Sequence, residues 1–204
     1  MLIERYLPTY DVRDYHEAQV ATPAETAYAV LRSLDLTQSW TVQALFAIRS
    51  LPGRLCGRTH PPLPSGTFLE QTLAIGWVVL EEEPGQELVA GAVTQPWKPV
   101  VTFQGLPPAE FLRFAQPGFT KIVWAIAARP VTPDASVMSL ETRVLATDPA
   151  SRRKFRLYWC IVSPGVRLLR RVALHLAGRS SIARDLPPNS GGRRMAQRCR
   201  PMRG

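Results

Sequence analysis

Two predicted helices bracket a long run of predicted strands, and this order constrains the fold of the 204-residue chain more than any other feature. Residues 10–21 alternate as a strand does and lead into Thr22-Pro23-Ala24-Glu25, a capping-box pattern that begins a helix. Residues 136–147 alternate again and lead into Asp148-Pro149, which begins the longest predicted helix. The order predicts an α+β fold in which a curved antiparallel sheet wraps around a long C-terminal helix, with two short helices after the first strand.

The segments between these helices predict a meander. A second short helix is expected over 37–51, followed by a loop over 54–66 that is rich in proline and glycine. Strands are expected over 73–81, 87–94, 110–115 and 119–128. The turn sequences Glu83-Pro84-Gly85 and Gln116-Pro117-Gly118 and the segment 130–134 separate them, which is typical of successive antiparallel hairpins.

The terminal helix is expected over 149–177 and carries an apolar stripe that includes Phe155, Trp159 and Val162. Pro164 interrupts this stripe, so we expect a kink or break there. Residues 179–204 are rich in Arg, Pro, Ser and Gly, which predicts disorder. The expected organisation is an N-terminal arm over 1–9, one folded domain over 10–178 and a basic tail over 179–204.

The net charge of +9 is unevenly distributed along the chain. Residues 1–150 hold 11 basic and 15 acidic side chains, whereas residues 151–204 hold 14 basic side chains and one acidic side chain. The basic end predicts either a solvated helix face with a loose tail, or weak contact with an anionic membrane. The body is mildly acidic, so the composition does not indicate a nucleic-acid-binding fold.

Three widely spaced cysteines indicate a reducing compartment without a disulfide framework. The first residues show no apolar secretory segment, and no apolar run approaches the length of a membrane-spanning helix. The cytoplasm is therefore the expected location.

Four segments resemble the START-related, polyketide-cyclase-like superfamily. They are the first-helix sequence over 21–28, the acidic turn over 81–89, the strand over 117–124, and Glu141-Thr142-Arg143-Val144 with Asp148. The resemblance covers about residues 10–178 and is most like uncharacterised bacterial members. It implies a helix-grip fold that encloses a small hydrophobic ligand such as a lipid, polyketide or isoprenoid. Because the superfamily includes lipid carriers, cyclases and hormone receptors, it leaves the activity open.

Alternation along the strands predicts which side chains share the face toward the terminal helix. In the first strand these positions include Asp14 and His16. The expected ligand-contacting residues are Ile122, Trp124, Ile126, Leu140, Thr142, Phe155, Trp159 and Val162. The alternative is that these residues form an ordinary packed core.

The candidates for chemistry are His16, as a proton donor or acceptor, and Tyr158, as a hydrogen-bonding residue that orients a substrate. Glu141 and Arg143 alternate away from the apolar face and are expected to form a solvent-side pair. Cys56 and His60 lack the further ligands that a structural zinc site needs, so no metal and no cofactor are expected.

Three hypotheses follow from the sequence. The first is binding or transport of a small hydrophobic ligand in an internal cavity. The second is an enzyme of the cyclase or dehydratase type that uses the same pocket. The third is a peripheral membrane or interaction module that acts through the basic C-terminal helix and tail.

Overall fold

The computed structural model describes residues 1–34, 66–98 and 100–160 of the chain. The helix predicted over 37–51, the residues Cys56 and His60, and everything after residue 160 lie outside these residues. Val162, the break at Pro164 and the basic tail therefore remain predictions.

The described elements follow the predicted order of a strand, a helix, a block of strands and a last helix. The helices are α1 (Ile3–Tyr6), α2 (Ala24–Arg32), α3 (Phe68–Ala74), α4 (Pro108–Arg113) and α5, whose described part is 149–160. The strands are β1 (Val12–Val20), β2 (Val78–Glu83), β3 (Glu87–Thr94), β4 (Phe103–Gln104), β5 (Thr120–Thr132) and β6 (Ala135–Ala146).

The strands form one six-stranded antiparallel sheet in the order β1-β6-β5-β3-β2, with the short β4 paired to β3. The first strand of the chain thus pairs with the last, which places β6 and β5 in the middle of the sheet. The hairpin predicted at Glu83-Pro84-Gly85 joins β2 to β3, and Gly85 takes the positive φ of 81° that this turn requires. The predicted α+β class with an antiparallel sheet is confirmed.

One predicted strand starts too early and another is wrong. Residues 73 and 74 belong to α3, and the strand predicted from residue 73 begins only at Val78. Residues 110–113 belong to α4, which starts at a proline, so the turn at Gly118 joins a helix to β5. Both segments are short apolar runs, in which the periodicity of a strand and that of one or two helical turns are difficult to separate.

The capping box predicted for the first helix does not form. Pro23 occupies the N-cap of α2 without a side-chain hydrogen bond, and Thr22 is fully buried, with its carbonyl accepting from Ser136. A capping box occurs instead at α3, where Thr67 accepts from the Glu70 amide and Glu70 accepts from the Thr67 amide. Thr22 is therefore a core residue rather than a cap.

The sheet is covered on both faces. We call the face that packs against α2 and α3 the inner face. It packs against Tyr28, Leu31 and Leu69 of these helices. Its buried residues include Leu88, Ala90, Trp124, Ile126, Ala128 and Met138. The opposite, outer face packs against α1 and α4; its cluster contains Ile3, Tyr6, Leu7, Val89, Val93, Phe111, Val123 and Ala125. Residues 1–9 therefore supply a helix that packs on the sheet.

Glu141 and Arg143 do not form a solvent-side pair. They lie on the outer face, but α1 and the segment after it cover them, and they are only 2% and 3% exposed. Arg143 Nε lies 2.7 Å from Glu141 Oε1, and Arg13 Nε lies 2.7 Å from the same oxygen. Burial alone would raise the pKa of Glu141, but hydrogen bonds from Arg13 and Arg143 outweigh it and hold the pKa below its ordinary value.

Candidate functional site

The strand register arranges the predicted site residues of the inner face in adjacent rows, with Ile122 opposite Val144 in the row next to Thr142. Thr142 of β6 pairs with Asp14 on one side and with Trp124 on the other. In the next row, Leu140 pairs with His16 and with Ile126. Because directly paired residues of antiparallel strands project to the same face, each row is a line of neighbouring side chains across the middle of the sheet.

The inner face is less completely covered than the outer face. Ile122, Leu140 and Thr142 are only half-buried, although they lie on the two middle strands. On the same strands the outer-face residues Val123 and Ala125 are 0% and 3% exposed. Middle-strand side chains of a folded sheet are normally closed off by the layer packed on them. We call this partly covered, mainly apolar part of the inner face the recess.

Aromatic rings line one side of this recess. The ring of Phe68 lies 5.2 Å from that of Trp124, and Trp77 lies 6.5 Å from Trp124 and 5.3 Å from Phe103. Phe68, Trp77 and Phe103 are half-buried, so part of each ring is open to contact. We call these four residues the aromatic cluster. Tilted rings at such separations attract one another and offer flat apolar surfaces.

Sequence patterns did not identify three members of the aromatic cluster. Phe68 starts α3, Trp77 precedes β2 and Phe103 lies in the two-residue β4, so none belongs to a long alternating segment. The capping box at Thr67 was the available signal for α3, since it marks the helix that carries Phe68.

Trp124 also carries an unusual polar group. The residue is 7% exposed, and its indole Nε1 is buried without a hydrogen-bond partner among the described residues. Buried N–H groups in folded proteins are almost always paired, and leaving one unpaired costs about 1–3 kcal/mol. The inner face thus contains an unused hydrogen-bond donor within its aromatic cluster.

His16 lies on the inner face, as the alternation predicted. Its Nε2 lies 3.2 Å from Asp14 Oδ1, and the side chains of His16 and Asp14 are 20% and 11% exposed. The two residues are two apart on β1 and so project to the same side. Nε2 has no hydrogen-bond partner among the described residues, so the two groups are neighbours on the inner face without a hydrogen bond of ordinary geometry between them. Histidine is the side chain most often used for proton transfer.

The terminal helix α5 is anchored firmly at its first turn. The carboxylate of Asp148 accepts from the backbone amides of Ala150 and Ser151, from the Ser151 hydroxyl and from the Gly118 amide. These hydrogen bonds, chiefly that from the Ser151 hydroxyl and then that from the Gly118 amide, lower the pKa of Asp148 well below its ordinary value. Asp148 therefore joins the helix start to the turn that leads into β5.

Side chains of α5 reach toward opposite sides of the sheet. Arg152 Nε lies 2.6 Å from Asp11 Oδ1, just before the edge strand β1. Lys154 Nζ lies 5.9 Å from the centre of the Trp97 ring, which follows β3. In the sheet order, the two middle strands lie between these anchors. The start of α5 is thus held at the end of the sheet where β6 ends and β5 begins.

The predicted residues of α5 form a small aromatic group. Phe155 is 1% exposed, its ring stacks on Trp159 at 5.7 Å, and Tyr158 lies 6.1 Å from Phe155. Trp159 and Tyr158 are both half-buried. The structure brings Ile122, Trp124, Ile126, Leu140 and Thr142 together on the inner face, and it places Phe155 and Trp159 together on α5. The predicted contact between these two groups remains a prediction.

Within the described ranges, no group of three or more His, Cys, Asp or Glu side chains is arranged to hold a metal ion. No helix in this part of the chain is both long and apolar enough to cross a bilayer.

Comparison with known proteins finds no matching family model and no similar curated protein. The chain is similar to a solved structure of norcoclaurine synthase from Thalictrum flavum, at 13% identity and a TM-score of 0.37, over 85% of this chain and 95% of that one. It is also similar to an aromatase/cyclase from a Streptomyces species, at 12% identity and a TM-score of 0.27, over 82% of this chain and 94% of that one. Likenesses at this level carry no inference about activity.

Proposed function

We propose that the chain binds a small, largely apolar molecule in the recess between the inner face of the sheet and α5. The observation that carries this proposal is the half-burial of Ile122 and Leu140 in the middle of the sheet, where the outer face is fully closed. The half-buried rings of the aromatic cluster extend the same apolar surface.

The free energy of such binding comes mainly from covering apolar surface. Each Å² of apolar area removed from water contributes about 25 cal/mol, so covering about 300 Å² contributes about 7 kcal/mol before the cost of immobilising the ligand. That cost is about 4 kcal/mol or more, so about 3 kcal/mol remains and the expected Kd is in the millimolar range. A ligand with several apolar carbons is needed to reach even this range.

The test is titration of the purified chain with 1-anilinonaphthalene-8-sulfonate, a probe whose fluorescence rises in apolar sites. The wild type is expected to give a saturable signal with one site. Leu140→Trp should fill the recess and weaken binding at least about tenfold, because the added ring occupies the volume that the probe needs.

Leu112→Trp is the matched control. It introduces the same ring at a residue of α4 that is 45% exposed and lies away from the inner face. This control should bind the probe as the wild type does. Equal binding by the wild type and Leu140→Trp, with both variants folded by circular dichroism, would contradict the proposal.

The pair formed by His16 and Asp14 favours a second function, in which the same recess promotes proton transfer on a bound ketone. His16 would accept a proton from the carbon next to the carbonyl, and Asp14 would stabilise the resulting imidazolium. The measurement is proton NMR of 2-acetylnaphthalene in D2O, which follows the exchange of its methyl protons for deuterium. With the wild type, the exchange rate of the methyl protons should exceed the rate in buffer alone. With His16→Gln, it should fall to the rate in buffer. A wild-type rate equal to that of buffer would exclude this function for the probe.

A further inference from the structure

The unpaired indole N–H of Trp124 identifies the chemical class of the ligand. Resting on the binding proposed above, we infer that the ligand is a planar aromatic compound with an oxygen acceptor, and that this oxygen accepts a hydrogen bond from Trp124 Nε1. The recess combines flat apolar rings with this one buried donor.

The position of the donor within the sheet determines where the oxygen lies. Trp124 pairs with Thr142, and Thr142 pairs with Asp14, so a row of polar groups crosses the middle of an otherwise apolar face. A purely hydrocarbon ligand would leave the indole N–H unpaired. A ligand oxygen directed at Trp124 removes this penalty, because its hydrogen bond replaces the one that folding took from the indole.

The rings around Trp124 favour a flat ligand. Phe68 is inclined at 48° to Trp124, and so is Trp77. Because Nε1 is buried, an oxygen reaches it only when neighbouring side chains move, and the half-buried rings of Phe68 and Trp77 lie in contact range of the Trp124 ring. A planar ring can occupy the gap that this movement opens and restore ring contacts on both of its sides. Binding should therefore be accompanied by rearrangement of Phe68 and Trp77.

The experiment compares two probes of the same shape, 2-acetylnaphthalene and 2-ethylnaphthalene, which differ in the carbonyl oxygen. The wild type should bind the ketone more tightly than the hydrocarbon by about two- to tenfold, the size expected for one neutral hydrogen bond. Trp124→Phe keeps a ring at this position but has no N–H, so it should bind the ketone no more tightly than the hydrocarbon. Trp77→Phe is the matched control. It also replaces an indole of the same cluster with a phenyl ring, but it should leave the preference for the ketone intact.

A measurement on the wild type removes any dependence on how well the variants fold. In the wild-type chain labelled with 15N at tryptophan, the ketone should shift the Nε1–H proton resonance of Trp124 downfield. The hydrocarbon should not shift it. Trp124→Phe assigns that resonance, because it is the signal that the variant lacks.

The possible outcomes separate this inference from the proposed function. Binding of both probes with equal affinity, or a preference for the ketone that persists in Trp124→Phe, would overturn the inference and leave the apolar recess in place. Failure of both probes to bind the wild type would overturn the recess as well. A preference for the ketone that is lost in Trp124→Phe and kept in Trp77→Phe supports both the inference and the proposed function.

Discussion

Replacing Glu141 with glutamine should destabilise the fold strongly, because it removes the only carboxylate that lies between two guanidinium groups on the outer face of the described sheet. Glu141 accepts from Arg13 through both of its oxygens and from Arg143 through one of them. Arg13 is 41% exposed and can recover hydration, but the Arg143 side chain is 3% exposed and cannot. Arg143 keeps the Leu7 carbonyl, a longer contact with Glu4 and the face of the Tyr10 ring, none of which replaces the buried carboxylate.

Breaking a buried ion pair from one side costs about 3–5 kcal/mol. Because glutamine retains one acceptor oxygen, the free energy of unfolding lost in Glu141→Gln should be at the low end of this range, about 3 kcal/mol. For a chain of this size such a loss lowers the melting temperature by roughly 6–12 °C. The assay is urea unfolding followed by circular dichroism, together with a thermal melt.

The matched control is Glu81→Gln, whose partner Arg5 has a side chain that is 67% exposed. Exposed pairs contribute at most about 1 kcal/mol, so this variant should unfold close to the wild type. The penalty of Glu141→Gln should also shrink in acid. The pKa of Glu141 is depressed in the folded state, so its contribution is present above its ordinary pKa of 4.5 and is lost as the pH falls through the depressed value. If Glu141→Gln loses no more free energy of unfolding at pH 7 than Glu81→Gln does, the account of a buried network is refuted.

Three further predictions concern caps and buried hydroxyl groups. Thr67→Ala should cost about 1 kcal/mol in urea unfolding, because it removes the cap of α3, and wild-type stability in this variant would contradict the capping box. Thr22→Val should be neutral or stabilising, because the Thr22 hydroxyl is buried without a partner among the described residues; a loss of about 1 kcal/mol would indicate a cap after all. Burial, reinforced by Glu81, raises the pKa of Tyr6 to about 12, so this group should lose its stabilising contribution as the pH rises from about 10 to 12. Tyr6→Phe should flatten that part of the pH–stability curve, and an unchanged curve would contradict the assignment.

The sequence predicted the long alternating segments well and the short ones poorly. Ile122, Trp124 and Leu140 were assigned correctly to one face, because β5 and β6 are long enough for their period of two to be unambiguous. The end of α3 and most of α4 were taken for strands, because each helix spans only one or two turns. In both segments a start signal was present, namely Thr67 with Glu70 and the proline at the first position of α4.

The environment of the outer face could not be predicted from alternation alone. Glu141 and Arg143 were placed correctly on the side opposite Trp124, but their burial depends on α1, which folds back from the other end of the chain. For the candidate site, the pattern identified Trp124 as an apolar wall. It could not show that the indole N–H lacks a partner, since this depends on the side chains that the fold packs around Trp124.

A crystal structure of the chain soaked with 2-acetylnaphthalene tests the central claim most directly. The account predicts the naphthalene ring on the inner face against Ile122 and Leu140, with the ketone oxygen within about 3 Å of Trp124 Nε1. An inner face packed solid against α5, or a probe bound only on the outer face, would contradict it.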